Sequence, residues 1–426
     1  MKERSVDVKL LHVADLHLDS PFVGIGKQLQ TVAKALIQAP FQAFERCVSI
    51  AINQQVDVMV IAGDIYDADK QTIQAQYFFV QQLKRLEVAG IQVVLCHGNH
   101  DYLKLDRPGM AYPANVHSWS GQEVKAIDLI LEKTQEHVRF YGFSYSKRWI
   151  NERMIDRYPA NSFESTYTIG VLHGQMEGEH YAPFDVASLL SKNYDYWALG
   201  HIHQARVLNE QPLIQYSGCI QGRHRQELGD KGAFIIEFAP NTPAKSHFIS
   251  LAPIVWQEAT VRCQAQWHEL ELVQAAMQVI ANYQAEASVS QQSQLVTLYL
   301  EHFELLDSKI QAQVESGELF ATLSQSLMSS APFVAVVKIL PLRQSVAEPF
   351  QYDSGLQTSF DTARQALREG ELYAEVMEPL FKHPVLKTWL NQLPQEASLQ
   401  QALADEATQL VIQAVGFETE EVSHEN

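Results

Sequence analysis

The sequence predicts a layered α/β protein in which two β-sheets pack face to face and helices cover the outside. Three observations predict it. Between residues 8 and about 100, short apolar runs alternate with longer helical patterns, as βαβ winding requires. From about 115 to 250 the spacing tightens into a succession of strand-like runs, enough for a second sheet. Five of these runs stop abruptly at Asp, Asn or His, which puts polar chemistry at strand ends.

The first strand, over 8–14, leads into Asp15-Leu16-His17, and His12 inside it reads as a packed core histidine. After a loop through Asp19 and Pro21, a helix starts at Gln28 or Pro40 and runs to Asn53, with Phe41, Phe44, Val48 and Ala51 on one stripe. Val58 to Ala62 then end in Gly63-Asp64. An uninterrupted apolar run of this length reads as a strand buried on both faces that hands one carboxylate to the rim of its sheet. A helix over about 72–88, with Phe78, Phe79 and Leu83 in the core, precedes a strand over 91–96 that ends in Gly98-Asn99-His100-Asp101. Right-handed crossovers place these strand ends on one edge, where open α/β sheets bind ligands.

Strands over 124–127, 138–143, 167–172, 194–199, 233–238 and 247–250 supply the second sheet. One is followed by His173-Gly174 and another by Gly200-His201-Ile202-His203. After Pro253, helices over about 267–283 and 307–328 alternate with strands over 294–300 and 334–339, which reads as a small α+β domain. Residues 346–426 read as acidic and helical, punctuated by Pro379, Pro384 and Pro394. The expected division is 1–252, 253–345 and 346–426.

A formal charge of −18 argues against a simple nucleic-acid binder. It is unevenly spread, with fourteen acids against four bases from Glu348 onward. Bound divalent cations would offset part of the remainder, so a phosphate-rich substrate is not excluded. The four cysteines, Cys47, Cys96, Cys219 and Cys263, lack paired spacing, which disfavours a disulfide framework or a zinc ribbon. No run reads as a signal peptide or membrane span, and the cytoplasm is the expected compartment.

Taken singly, each polar fragment has a bland explanation: Gly-Asp makes turns, and Asp-x-His and His-x-His are common. Together, in this order and each after a strand, they describe a cage of mixed nitrogen and oxygen donors. Asp15, His17, Asp64, Asn99, His173, His201 and His203 are the candidate metal ligands, with Asp64 shared between two ions. Absence of thiolate favours manganese, iron, zinc or magnesium over a soft metal. Two such ions about 3.5–4 Å apart can clamp a phosphate and activate water. His100 is expected to face substrate as the leaving-group acid or transition-state stabiliser, with Asp101 holding its other ring nitrogen. Asp67 and Asp19 read as loop hydrogen-bonders, and His97 as an outer neighbour of the cage. Lys147, Arg148, Arg153 and Arg157 form a basic run that is either solvated or in contact with a phosphate backbone.

These five motifs, over roughly residues 8–240, resemble those of calcineurin-like metallophosphoesterases. The stretch from Ala14 to Phe22 is similar to the DNA-repair exonuclease branch, which includes the SbcD and YhaO types. Tyr216-Ser217-Gly218-Cys219-Ile220-Gln221-Gly222-Arg223-His224, followed by Glu227, Gly229, Lys231 and Gly232, lies nearer the YhaO type. The resemblance implies a four-layer sandwich of two mixed sheets flanked by helices, and a capping domain that helps to shape a DNA site. It implies that Asp15, His17, Asp64 and His203 hold one ion and that Asp64, Asn99, His173 and His201 hold the other, typically manganese. It further implies a nuclease of DNA repair, of exonuclease type, whose C-terminal helical segment docks on an SMC-like coiled-coil ATPase. A homodimer remains open. A small-molecule or cyclic-nucleotide phosphodiesterase, or a protein that mainly scaffolds an ATPase complex, are the alternatives.

Overall fold

The computed structural model describes residues 7–20, 30–67, 71–103, 110–325 and 332–342, with isolated positions between 358 and 407. The chain divides into two compact units, 1–342 and 343–426. The isolated positions in the second unit that are described, such as 358–360, are helical. The rest of the expected acidic segment over 346–426 lies outside the described residues.

The first sheet orders β12-β11-β1-β2-β3-β4. Its parallel half is β1 (Val8–Val13), β2 (Val58–Ala62), β3 (Gln92–Cys96) and β4 (Val116–Ser118). β11 (Gly232–Phe238) and β12 (Lys245–Ser250) extend it antiparallel. Helices α1 (Gln30–Asn53) and α2 (Ile73–Val88) form the crossovers, as the apolar stripes predicted. Thr72 caps α2, its hydroxyl oxygen accepting from the Ala75 N–H at 3.2 Å.

The second sheet orders β5-β6-β7-β8-β10-β9. Its strands are β5 (Lys125–Ile130), β6 (His137–Gly142), β7 (Tyr167–His173), β8 (Tyr196–Gly200), β9 (Arg206–Glu210) and β10 (Leu213–Tyr216). β6, β7, β8 and β10 run parallel, and β5 and β9 close the edges antiparallel. Four layers result. Leu11, Val13, Met59, Ile61 and Val93 face α1 and α2. Their alternating neighbours Leu10, Val58, Val60 and Val94 meet Phe140, Ile169, Val171 and Ala198 of the second sheet. The far face of that sheet is covered by Met154, Ile155 and Leu189, from a short 3-10 turn and from α3 (Val186–Leu190). The period-2 alternation thus makes one sheet serve two cores, each fully buried aliphatic side chain contributing roughly 1.5–3 kcal/mol.

A third sheet follows, ordered β13-β14-β15 (Ile254–Arg262, Ser293–Glu301, Val334–Pro341). It was expected as α+β. Both of its pairings are parallel, with α4 (Glu269–Ser290) in one crossover and α5 (Ser308–Glu315) and α6 (Glu318–Gln325) in the other. It is therefore wound in α/β fashion. The single helix expected over 307–328 is broken at Gly317, whose φ of +85° starts a new direction. α1 joins this sheet to the sandwich: Val32, Leu36 and Ala39 pack on Ile254, Trp256 and Leu295, while Phe44, Cys47, Val48 and Ala51 pack on the first sheet. Pro40 lies inside α1, between the two contact stretches.

Candidate metal centre

Every expected donor lies at or just past the carboxyl end of a parallel strand. Asp15 and His17 follow β1, Asp64 follows β2 and Asn99 follows β3, so the first sheet supplies the carboxylates and the amide. β7 ends at His173, and His201 and His203 follow β8, so the second sheet supplies imidazoles. The two rims are bonded together. His173 Nδ1–H donates to the Ala62 carbonyl at 2.9 Å, and the His201 N–H donates to the Asp15 carboxylate at 3.1 Å. Tyr145 and Tyr216 brace β7 from behind, their hydroxyls donating to the carbonyls of His173 and Gly174 at 3.0 and 2.8 Å.

The backbone is strained here. Asp15, His17 and Asp64 adopt φ of 51°, 43° and 51°, and His201 adopts 100°. Such conformations cost on the order of 1–3 kcal/mol each and persist where the surroundings impose them. The ties are visible: the N–H groups of Asp15 and His17 donate to the carbonyls of Gly63 and Asp64, both at 3.1 Å. Two glycines make room. A Cβ on Gly63 (φ +92°) would lie 2.3 Å from His173 Nδ1, and one on Gly98 would lie 2.2 Å from Asp64 Oδ1.

The donor set fits divalent cations. Asp15, His17, Asp64 and His173 are each only 1% exposed, and Asn99 is 3% exposed. With Nδ1 protonated toward Ala62, His173 turns a lone pair from Nε2 toward the Asn99 carbonyl oxygen, 3.0 Å away, and Asp64 Oδ2, 3.4 Å away. His203 Nδ1–H donates to Glu227 Oε1 at 2.5 Å, so its Nε2 lone pair faces His17 Nε2 at 3.1 Å. His201 Nδ1 approaches the same Asn99 oxygen at 3.1 Å. Acceptors turned toward one another in a buried site are stabilised by a cation between them or by extra protons. Among the groupings whose ligand atoms lie within 4.8 Å of one another are Asp15 with His17 and His203, and Asp15 with Asp64 and His173.

Charge and burial set the protonation of this centre. Burial alone would push the Asp64 carboxyl up, but the His173, His17 and His100 imidazoles hold it well below the usual carboxylate range. Burial would likewise depress His173, yet the Asp64 and Asp15 carboxylates raise it to about 9. Asp15 is pushed up to about 6 by burial, against the pull of His173 and His203. Burial lowers His201 to about 3, and burial with the Arg223 guanidinium drives His17 well down. A proton therefore rests on His173 when no cation is bound, and cation binding must displace it.

His100 stands apart from the buried donors, with its side chain 28% exposed. Its backbone N–H donates to Asp64 Oδ1 at 2.9 Å, while its ring turns to the opening. Here the structure corrects the sequence reading. Asp101 does not hold His100. Its carboxylate accepts from the N–H groups of Gly98 and Ile65 at 2.7 and 3.0 Å and contacts His97 Nδ1 at 3.2 Å, so it shapes the loop. Asp67 is the partner, its Oδ1 lying 2.7 Å from His100 Nδ1 and raising the imidazole pKa.

Three further residues carry weight at the centre. Glu227 anchors His203 and accepts from the Arg223 N–H at 2.6 Å. The Arg223 guanidinium lies 3.3 Å from His203 Nδ1 and 4.0 Å from Asp67, with its buried Nε unpartnered. The Tyr181 ring lies against His201, tilted by 35° with ring centroids 4.5 Å apart. Glu227 and Arg223 stand in a stretch that carried the family resemblance, but nothing local in the sequence marks their contact with a histidine some twenty residues earlier. Of the other candidates, His12 is a core residue, its Nδ1 2.7 Å from the Tyr196 hydroxyl. In the basic run, Arg153 and Arg157 are paired with Asp185 and Glu152.

The family model for the calcineurin-like phosphoesterase matches residues 8–205, which contain all seven candidate donors. Over those residues the chain is similar to calcineurin-like phosphoesterases. Among similar proteins is an uncharacterized metallophosphoesterase, YhaO, of Bacillus subtilis, 34% identical over 60% of this chain and 63% of its own length. The DNA double-strand break repair protein Mre11 of Sulfurisphaera tokodaii is 26% identical over 55% of this chain and 61% of its own length. A component of the SbcCD nuclease of Staphylococcus epidermidis is 23% identical over 58% of this chain and 70% of its own length. The chain thus spans under two thirds of the length of the first two relatives. Among the described residues, no helix is long and apolar enough to cross a membrane.

Proposed function

We propose that the chain is a metal-dependent phosphodiesterase that cleaves DNA, acting as a nuclease of exonuclease type in DNA repair. One observation carries the reading: seven oxygen and nitrogen donors converge at the joined rims of two sheets, with a partly exposed imidazole, His100, at their mouth. Asp15, His17, Asp64 and His203 would hold one divalent ion, and Asp64, Asn99, His173 and His201 the other. When bound, two such ions supply charge to clamp the phosphate and lower the pKa of the attacking water. His100, its imidazole pKa raised by Asp67, is placed to stabilise the developing charge or to give a proton to the leaving oxygen. Arg223 adds a fixed positive charge on the same side. The relatives named for DNA repair and for nuclease activity support DNA as the substrate, and manganese is the metal proposed.

Residues 253–345 are proposed as a capping unit beside the centre, and 346–426 as the docking region for an SMC-like coiled-coil ATPase, with the cytoplasm as the compartment. The test is a Mn²⁺-dependent assay on linear duplex, single-stranded and hairpin DNA beside cyclic nucleotides. DNA cleavage lost in Asp64→Ala supports the reading. Turnover of cyclic nucleotides with no cleavage of any DNA form would reverse it. Activity that is dispensable in cells, where removal of 346–426 disrupts an ATPase complex, would make scaffolding the main role.

A further inference from the structure

The segment over 145–151 carries features that the metal centre does not use. It is stitched to both walls of that centre. The Tyr145 N–H donates to the His97 carbonyl at 3.0 Å, and the Leu103 N–H donates to the Tyr145 carbonyl at 2.9 Å, bracketing the loop that bears Asn99 and His100. A few residues on, the Ile150 N–H donates to the His180 carbonyl at 2.9 Å and the Ala182 N–H to the Ile150 carbonyl at 2.7 Å. Between them lies Tyr181, whose ring leans on His201. Lys147, Arg148 and Trp149 therefore sit on a short bridge between the two walls.

That bridge is built unlike a solvated surface. Trp149 is 57% exposed, a large cost for an indole with no packing role. It flanks a cavity of about 630 Å³ lined also by Gln122, Lys147, Ile150, Asn151, His180 and Glu152, the last paired with Arg157. The Arg148 guanidinium carbon lies 5.7 Å from the indole centroid. Of the four cations in the basic run, Arg153 and Arg157 are neutralised by acids. Among the described residues Lys147 and Arg148 have no ion-pair partner, so the two cations beside the indole are the uncompensated ones. An exposed aromatic face, flanking ammonium and guanidinium groups, and side-chain amides around a cavity are the elements that hold an unpaired nucleotide.

We infer that Trp149, with Lys147 and Arg148, is a stacking shelf that binds an unpaired base next to the phosphate seated at the metal centre. The shelf rests on the proposed phosphodiesterase function and deepens it, because it selects a single strand: in a duplex the base faces are already stacked and cannot lie on the indole. The shelf also explains how a chain of net charge −18 engages a polyanion, through a short local patch and not through its overall field.

Binding of a fluorescein-labelled oligothymidylate to the full chain, read by anisotropy, tests this without requiring cleavage. Trp149→Ala should weaken the oligonucleotide about tenfold, as the loss of one base–aromatic stack does. Trp149→Phe should recover most of the affinity, and Lys147→Gln should weaken binding and flatten its salt dependence. The labelled strand should bind more tightly than its duplex. In parallel, kcat/KM of Trp149→Ala should fall for the oligonucleotide relative to bis(p-nitrophenyl) phosphate, which has no base to stack. Equal affinity of Trp149→Ala and the parent chain overturns the shelf, as does an equal loss on both substrates. If the parent chain binds the strand through Trp149 but hydrolyses neither substrate, the shelf stands and the phosphodiesterase reading fails.

Discussion

Glu227→Gln is the sharpest probe of how the centre is supported, because it changes one atom of a buried side chain. Glu227 Oε1 accepts from His203 Nδ1–H at 2.5 Å and Oε2 accepts from the Arg223 N–H at 2.6 Å. Both demands are for acceptors, and a glutamine offers one acceptor and one donor. Whichever way the amide turns, an N–H group must face another. If it faces His203, the imidazole can accept only by moving its proton to Nε2, the atom that meets His17 Nε2 at 3.1 Å. That proton would occupy the position a cation needs. A buried donor left unsatisfied costs about 1–3 kcal/mol, and losing a carboxylate behind a metal-binding imidazole typically weakens the metal or the activity about 10–100-fold. The two figures agree. Manganese titrations followed by electron paramagnetic resonance, with hydrolysis of bis(p-nitrophenyl) phosphate as the second readout, should show weaker metal binding. Excess metal should restore part of the rate. An unchanged manganese affinity in a folded variant would refute the reasoning.

Three other outcomes are expected. His100→Ala should lower kcat by about 10²–10⁴-fold while leaving manganese affinity intact, and Asp67→Asn should lower kcat in the same direction but less. Comparable losses from substituting Asp101 alone, without loss of fold, would restore that residue to the role the sequence first assigned it. Gly98→Ala should abolish metal binding, since its methyl would lie 2.2 Å from Asp64 Oδ1 on a loop with no slack. Retention of full activity in that variant would show the loop to be more yielding than its packing implies. Burial lowers the His12 imidazole from 6.5 to about 3, so the unfolded chain binds the extra proton between those values. This contribution is fully present above pH 6.5 and drains away as pH falls, by about 3 kcal/mol at pH 4. Denaturant titrations of His12→Gln should show a shallower loss of stability over that interval, and an identical slope would contradict it.

Much of the architecture is legible because burial writes itself into the pattern. Val58 to Ala62 is apolar throughout because both of its faces are covered, and the run stops where the rim begins. Four strands go unread: β4 and β9 are short and at best half-buried, β10 is buried throughout but only four residues long, and the apolar start of β13 gives way to Gln257, Glu258 and Thr260. The third sheet reads from the sequence only as part of a small α+β domain, because periodicity identifies an element without saying how it pairs. Parallel pairing follows from where the crossovers place each strand, and that is a property of the assembled chain. α1 shows the same limit. Its stripe from Phe41 to Ala51 was readable, but its first turns pack on a sheet more than two hundred residues further along.

By itself the sequence determined which side chains meet at the centre: Asp15, His17, Asp64, Asn99, His173, His201 and His203 each end or follow a strand, and parallel strands deliver their ends to one rim. Tertiary structure alone decided who supports them. Asp101 is the neighbour of His100 in sequence, yet its carboxylate turns inward to close the loop on Gly98 and Ile65, leaving Asp67 from a separate strand end to hold the imidazole. Glu227 reaches His203, and Tyr181 covers His201, through contacts that no spacing encodes. The difference is physical. Strand ends obey a repeat that the sequence displays, whereas a hydrogen bond needs direction as well as proximity, and direction exists only once the loops are folded.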